Sequence, residues 1–332
     1  LGNLIEKQTQ QGSQPITGFK NSIVARCASG QRRPCRAPLV VLVTMHIPAR
    51  RRPEFDEARI YAYPEHLRES VEALPPLPGV YTFHGEAGDA LPLYIGKSVN
   101  LRARVLSHLR NPDEARLLRQ TRLITHQRTA GEVGALLLEA SLIKQQQPLY
   151  NQKLRRSRQL CALRLDAAGR PEVVDARTHN FATTPDLFGL YGSRHAALEG
   201  LRTLADLHKF CYGALGLEKL APGRGCFRAS LHQCAGVCRG DETPTAHQAR
   251  LIEALDTLRV ACWPHAGAIG LRERDEEGLE QIHVIRNWCY LGSADTPAQA
   301  RALDQPAAGF DADGYKILCR PLLSGTAELL PL

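Results

Sequence analysis

A carboxylate set amid apolar residues within a strongly basic segment is the residue pattern with the clearest chemical meaning. The segment from Lys97 to Arg164 holds fourteen Lys or Arg against four Asp or Glu. That local excess of ten is larger than the +8 of the whole 332-residue chain. Basic charge gathered in one region is the footprint expected of a partner with a phosphate backbone. Hydrolysing a phosphodiester requires that water lose a proton as it attacks. Charge on the non-bridging oxygens must be stabilised, and the leaving oxygen needs a metal or an acid. Mg²⁺ takes oxygen ligands, often one or two carboxylates completed by water and phosphate. Glu139 sits amid apolar residues, and a buried carboxylate without a partner is costly. A metal ion offsets that cost, and so does a neighbouring arginine. Taken alone, Glu139 also fits an ordinary helix-surface charge.

Cysteines form the second pattern. Four of the ten, Cys211, Cys226, Cys234 and Cys238, fall within one stretch. Thiolates bind soft or borderline metals, and four can close a zinc site or hold an iron–sulfur cluster. The spacing is not the paired arrangement of a zinc ribbon, and buried cysteines also serve as small hydrophobes.

These residues need elements to position them. Pro64, Pro75, Pro76 and Pro78 argue against a helix over 64–78. Val80–His84 and Leu91–Ile95 read as two strands of a hairpin, with Gly96 ending the second. Ser98 is placed to cap a helix reaching Leu109, with Leu101, Val105 and Leu109 at helical spacing and Arg104 and His108 together on another face. Arg122–Arg128 alternates as a third strand. Glu132–Gln146 is an amphipathic helix carrying Leu136, Leu137, Ala140 and Ile143 on one stripe, and Pro148 ends it. The sum is a small α+β unit. Further on come a strand at Leu160–Leu165 and helical patterns at Ser193–Tyr212 and Thr245–Val260. Late strand pairs are expected at Gln281–Leu291 and Tyr315–Pro321, with a long surface loop over Asp295–Asp313.

Five segments in order carry a family resemblance: Pro78-Gly79-Val80-Tyr81, Leu93-Tyr94-Ile95-Gly96-Lys97, Asn100-Leu101-Arg102-Ala103-Arg104-Val105, Leu138-Glu139-Ala140-Ser141-Leu142-Ile143-Lys144 and Pro148-Leu149-Tyr150-Asn151. Together they resemble the GIY-YIG nuclease family, in the variety at the N-terminus of the repair excinuclease UvrC. The match spans about 80 residues. It implies a three-stranded antiparallel sheet flanked by helices, followed by a cysteine-rich α/β region. By the same resemblance Tyr94 is the general base and Tyr81 its support. Arg104 neutralises the scissile phosphate, Glu139 is the ligand for Mg²⁺ or Mn²⁺, and Asn151 orients the site. A free tyrosine has a pKa of about 10, so a phenol acting as a base needs positive charge nearby, for which Lys97 is a candidate. His108 departs from the pattern, since UvrC relatives usually carry tyrosine there. It is expected to bond phosphate or share the base's role. Arg102, Lys144, Lys153, Arg155 and Arg156 are the candidate DNA-contacting cations.

The cysteine stretch also resembles UvrC, whose last two cysteines sit in an element like Cys234–Cys238. That implies a 4Fe–4S cluster, with zinc as the alternative in heterologous material. The sequence ends at Leu332 without the second nuclease domain or helix-hairpin-helix motifs of UvrC. This resembles the short UvrC homologues and implies one cut, 3′ to a lesion, on double-stranded DNA prepared by UvrA and UvrB. Competing readings are a structure-specific or mobile-element endonuclease and a non-catalytic DNA-binding module.

The expected organisation is a leader over 1–44 outside the natural start, an extension over 45–73, the nuclease domain over 74–155 and a region over 156–332 with the cysteines at 211–238. Translation is expected to start at Met45, the only methionine. Apolar content of 43% and charged content of 23% are ordinary for a globular chain. No apolar run approaches the ~18–20 residues of a membrane span. A cytoplasmic monomer is the expectation.

Overall fold

The run from Gly79 to Phe83 is buried at every position, so this strand must lie inside a sheet covered on both faces. The computed structural model describes residues 62–86, 91–152, 160–220, 224–303 and 309–332. The leader over 1–44, the start at Met45, most of the 45–73 extension, and Lys153, Arg155 and Arg156 lie outside the described residues. In it, β1 (Gly79–His84) runs between β2 (Tyr94–Ser98) and β3 (Leu123–Arg128), antiparallel to both. Side chains alternate across this sheet. Tyr81 and Phe83 point to the face covered by α1 (Arg68–Glu72), α2 (Leu101–Leu109) and α3 (Ala115–Gln120), joining Leu74, Val105 and Leu118 in one cluster. Val80 and Ile95 point to the other face and meet Ile143 of α4 (Glu132–Gln146).

Beyond residue 160 the chain builds two further antiparallel sheets. The first is β4 (Cys161–Leu165) between β5 (Pro171–Asp175) and β6 (Phe188–Tyr191). It packs on α5 (Arg194–His208) and α7 (Pro244–Asp256), with the short α6 (Phe227–Ser230) in the cysteine stretch between them. The second has the order β10-β7-β8-β9, from β7 (Ile269–Arg274), β8 (Glu280–Arg286), β9 (Cys289–Ala294) and β10 (Glu328–Pro331). Helices α8 (Pro297–Ala302) and α9 (Ala312–Leu323) accompany it.

Several expectations give way for local reasons. The prolines of 64–78 cluster at its two ends, which leaves room for α1 between them. The second strand is Tyr94–Ser98 rather than Leu91–Ile95, with Gly96 in its middle instead of at its end. Ser98 is therefore strand, and Asn100 caps α2 by accepting from the Ala103 N–H at 2.9 Å. The Tyr315–Pro321 stretch is helical, part of α9, whose N-terminus Asp311 caps. Within the supposed loop, Thr296 and Gln299 form a reciprocal cap for α8.

Helix α4 is shared. Ile143 serves the first sheet, while Leu137 joins Ile269, Leu271 and Trp288 beneath the last one. Its N-cap is Gly131, which offers no side chain. The cap comes from far along the chain. Glu273 of β7 accepts the Val133 N–H at 3.0 Å and the Gly134 N–H at 2.7 Å. His283 of β8 holds the same carboxylate at 2.9 Å. A Cβ at Gly134 would overlap the His283 ring, so this close approach requires glycine. Arg128 pairs with Asp275 at 2.6 Å, and at the other end of α4 Lys144 pairs with Asp311 at 2.6 Å and Asp313 at 3.1 Å.

Burial alone would push the Glu273 carboxyl up, but His283 and the two N–H groups hold it below the ordinary value of 4.5. Its stabilisation is therefore complete above 4.5 and is lost as pH falls through the lower folded-state value. Glu273→Ala leaves these donors without an acceptor and is expected to cost about 2–3 kcal/mol in urea unfolding at neutral pH. Glu273→Gln should flatten the acid side of the stability profile. Unchanged unfolding curves in both variants would refute the clamp.

Candidate active site

Strand β2 is an edge strand, so every second residue turns its backbone N–H and C=O away from β1. Ile95 is fully buried, and its unpaired groups cannot be left to water. Asn151 resolves this. Its Oδ1 accepts the Ile95 N–H and its Nδ2 donates to the Ile95 carbonyl, both at 2.9 Å. The segment leading to it runs alongside, with the Tyr150 N–H donating to the Leu93 carbonyl at 2.8 Å. One edge position further, the Lys97 N–H donates to the Glu139 carboxylate, which α4 brings up to β2.

Tyr94 and Gly96 face the other way, toward Tyr81. Tyr81 pairs across the strands with Gly96, and Phe83 with Tyr94. The Tyr81 and Tyr94 ring centroids are 6.2 Å apart. A Cβ at Gly96 would overlap the Tyr81 ring and hydroxyl, which explains a glycine in mid-strand. Burial pushes both phenols above their ordinary value. For Tyr81 the Tyr94 hydroxyl adds to this, and for Tyr94 the Glu139 carboxylate does. Arg104 of α2 works against the rise in both cases. Arg104 is itself exposed, and no carboxylate among the described residues lies in ion-pair range of it.

Burial likewise raises Glu139, opposed by Lys97 and Arg104. The Lys97 ammonium goes to Glu132 at 2.8 Å, and its charge also acts to lower Glu139. A half-buried carboxylate with no cation salt-bridged to it among the described residues fits a hard divalent ion. His108 is almost fully buried, and both its ring nitrogens have partners within the protein. Its Nε2 lies 2.6 Å from the Tyr81 hydroxyl and its Nδ1 2.5 Å from Glu114. Glu114 was missed from sequence, where it reads as one more surface acid after Asn111-Pro112-Asp113. A signal was present only in its position six residues beyond His108.

Two candidate DNA-contacting cations are engaged elsewhere. Lys144 is held by Asp311 and Asp313. Arg102 donates to the carbonyls of Leu74 at 2.7 Å and Glu72 at 3.1 Å, tying α2 to α1.

The four cysteines do converge. The Sγ atoms of Cys211 and Cys226 are 3.5 Å apart, and those of Cys226 and Cys234 are 3.6 Å apart. The thiols of Cys211, Cys226 and Cys238 all lie within 4.8 Å of one another. Burial pushes Cys211 up to about 12. Burial also acts on Cys226, but the Ala229 N–H and the surrounding thiols outweigh it and hold this thiol below its ordinary value. Such a donor set suits a thiophilic metal.

Asn151→Ala removes both partners of a buried peptide unit and is expected to cost about 2–3 kcal/mol. Amide exchange at Ile95 should accelerate in step. An unchanged Ile95 exchange rate would show that the side chain does not hold the edge.

Three family models match the chain in order. They are the UvrC-like GIY-YIG domain over residues 77–152, the UvrC/Cho excinuclease middle domain over 160–257 and the excinuclease Cho C-terminal domain over 268–332. Excinuclease Cho of Escherichia coli K12 is 57% identical over 279 residues, which cover 84% of this chain and 94% of that protein. The UvrABC system protein C of Caldicellulosiruptor saccharolyticus is 32% identical over 201 residues, 58% of this chain and 33% of that protein. The GIY-YIG N-terminal endonuclease domain of Thermotoga maritima UvrC, solved with magnesium as its catalytic divalent cation, is 33% identical and covers 25% of this chain and 93% of that one, with a TM-score of 0.23. Identity at this level over nearly the full length of the relative, with all three domains in register, means that the chain belongs to the excinuclease Cho family of UvrC homologues.

Proposed function

We propose that the chain is a metal-dependent DNA endonuclease of nucleotide excision repair that hydrolyses one phosphodiester on the 3′ side of a lesion. The observation that carries this reading is a convergence at one edge strand. A carboxylate with no ion-pair partner among the described residues, an exposed arginine, the buried Tyr81 and the half-buried Tyr94 meet there. Glu139 holds the divalent ion, Mg²⁺ or Mn²⁺. When bound, that ion supplies Lewis-acid help to the phosphate and its leaving oxygen. Tyr94 Oη takes the proton of the attacking water, and Arg104 binds the scissile phosphate. Tyr81 packs against Tyr94 and keeps its hydroxyl on His108. Asn151 fixes the strand that carries Tyr94, and Lys97 sets the environment of Glu139. Damaged double-stranded DNA is the substrate, delivered by UvrB with UvrA upstream.

The cysteine site is proposed to hold a 4Fe–4S cluster, with zinc as the alternative. A tetrahedral zinc–thiolate centre has sulfurs ~3.8 Å apart, from Zn–S distances of ~2.3 Å. The observed thiol separations are near that figure, whereas a cluster requires the thiols to spread. Two of the four ligands, Cys226 and Cys234, flank α6, so binding would order this stretch.

A duplex with one bulky lesion tests the nuclease reading. Incision 3′ to the lesion should require UvrA, UvrB and Mg²⁺, should stop with chelator, and should fall at least ~100-fold in Glu139→Ala. Equal cutting of undamaged DNA without partners would favour a structure-specific or mobile-element nuclease, and binding without cutting a DNA-binding module. Anaerobic purification tests the cysteines. Iron with visible charge-transfer absorption is expected, lost in Cys226→Ser; zinc at one per chain selects the alternative. A sample free of both metals would overturn the assignment.

A further inference from the structure

The relay behind Tyr81 has a third member that the roles above do not use. His108 bridges the Tyr81 hydroxyl, 2.6 Å from its Nε2, and the Glu114 carboxylate, 2.5 Å from its Nδ1. Glu114 is braced in turn, its second oxygen accepting from Asn111 Nδ2 at 3.0 Å. Asn111 is fixed by its own turn, its Oδ1 accepting the Asp113 N–H at 3.1 Å. Burial would raise the Glu114 carboxyl, but His108 and Asn111 together hold it below its ordinary value. It is therefore ionised near neutral pH, and an ionised carboxylate only accepts hydrogen bonds.

We propose that Glu114 is a positioning residue of the nuclease centre, fixing His108 in the tautomer that accepts the Tyr81 hydroxyl proton and so turning the Tyr81 oxygen's free lone pairs toward Arg104 and the site. This rests on the nuclease reading above. A neutral imidazole has one N–H and one bare nitrogen. With Nδ1–H committed to Glu114, Nε2 is bare and Tyr81 must donate to it. The opposite tautomer would place Nε2–H against the phenol. Tyr81 would then spend a lone pair on His108, and its O–H would have to turn toward Arg104, donor facing donor, or onto the Tyr94 hydroxyl that is to act as base. The hydroxyl has little freedom to escape this choice, because it is buried between His108 and the backbone at Gly96. The carboxylate–imidazole–hydroxyl order follows the logic by which an acid orients a histidine in hydrolases.

The test uses the full chain labelled with ¹⁵N-histidine, together with single-turnover incision of the lesion duplex with UvrA, UvrB and Mg²⁺. In the unaltered chain His108 Nε2 should show the shift of a bare nitrogen. In Glu114→Gln one amide oxygen faces two donors, so the tautomer should become mixed or reversed. The incision rate should fall roughly 100-fold, while DNA affinity and Mg²⁺ half-saturation stay within about twofold. Glu114→Asp should restore most of both signals. If Glu114→Gln does not fold, Glu114→Ala with added formate replaces it, and formate should bring back the Nε2 shift and the rate. An unchanged tautomer, a changed tautomer with an unchanged rate, or a loss confined to DNA affinity would each overturn the proposal. If the unaltered chain does not cut DNA, the nuclease reading fails instead, and the nitrogen shifts alone judge whether Glu114 sets the tautomer.

Discussion

The unpaired edge of β2 is the constraint that the rest of the nuclease domain satisfies. Ile95 is fully buried, so its outward N–H and C=O need protein partners. A further strand would supply them but would close the site. Instead the chain leaves α4, turns through Gln147 in the left-handed region and Pro148, and brings in the Asn151 amide. One position along, the Lys97 N–H reaches the Glu139 carboxylate. The same unmet backbone valence thus fixes both the orienting amide and the carboxylate. It also keeps the opposite side of β2 regular enough for Tyr94 and Gly96 to face Tyr81.

That arrangement depends on where α4 lies, and both ends of α4 are held from outside its own domain. A helix starting at glycine has no side-chain cap, and its first N–H groups are otherwise unpaired. Glu273, over a hundred residues on in sequence, supplies the acceptor, and its negative charge suits the positive end of the helix. Lys144 in the last turn is matched by Asp311 and Asp313. Strand β7 of the last sheet therefore holds one end of the helix that carries Glu139, and α9 holds the other. This accounts for a helix apolar on two faces, one for each sheet.

Legibility in the sequence followed the range of the interactions. α4 was readable to the residue, because its period and Pro148 are local. The order of Tyr81, Tyr94, Arg104, Glu139 and Asn151 was readable because the motif marks strand and helix positions directly. Gly96 was misread as an end, because a glycine that accommodates a ring from the next strand looks the same as a turn glycine. The two carboxylates that hold Lys144 were not legible, because they lie far along the chain. Tyr315–Pro321 alternates like a strand, yet the Asp311 cap and packing on the last sheet make it a helix. Glu273 and Glu114 were invisible for the same reason. Each acts through a partner that only the fold supplies.

The electrostatics of the centre point one way. Glu139, Tyr81 and Tyr94 are three acids, each raised by burial. Tyr94 raises Tyr81, and Glu139 raises both tyrosines. Arg104 is the one cation that pulls on all three, and it is exposed. An arriving phosphate would occupy that guanidinium and add negative charge, raising every one of these groups further. Positive charge that enters together with the substrate would oppose this rise, and the carboxylate at the edge of β2 is the group proposed to hold it.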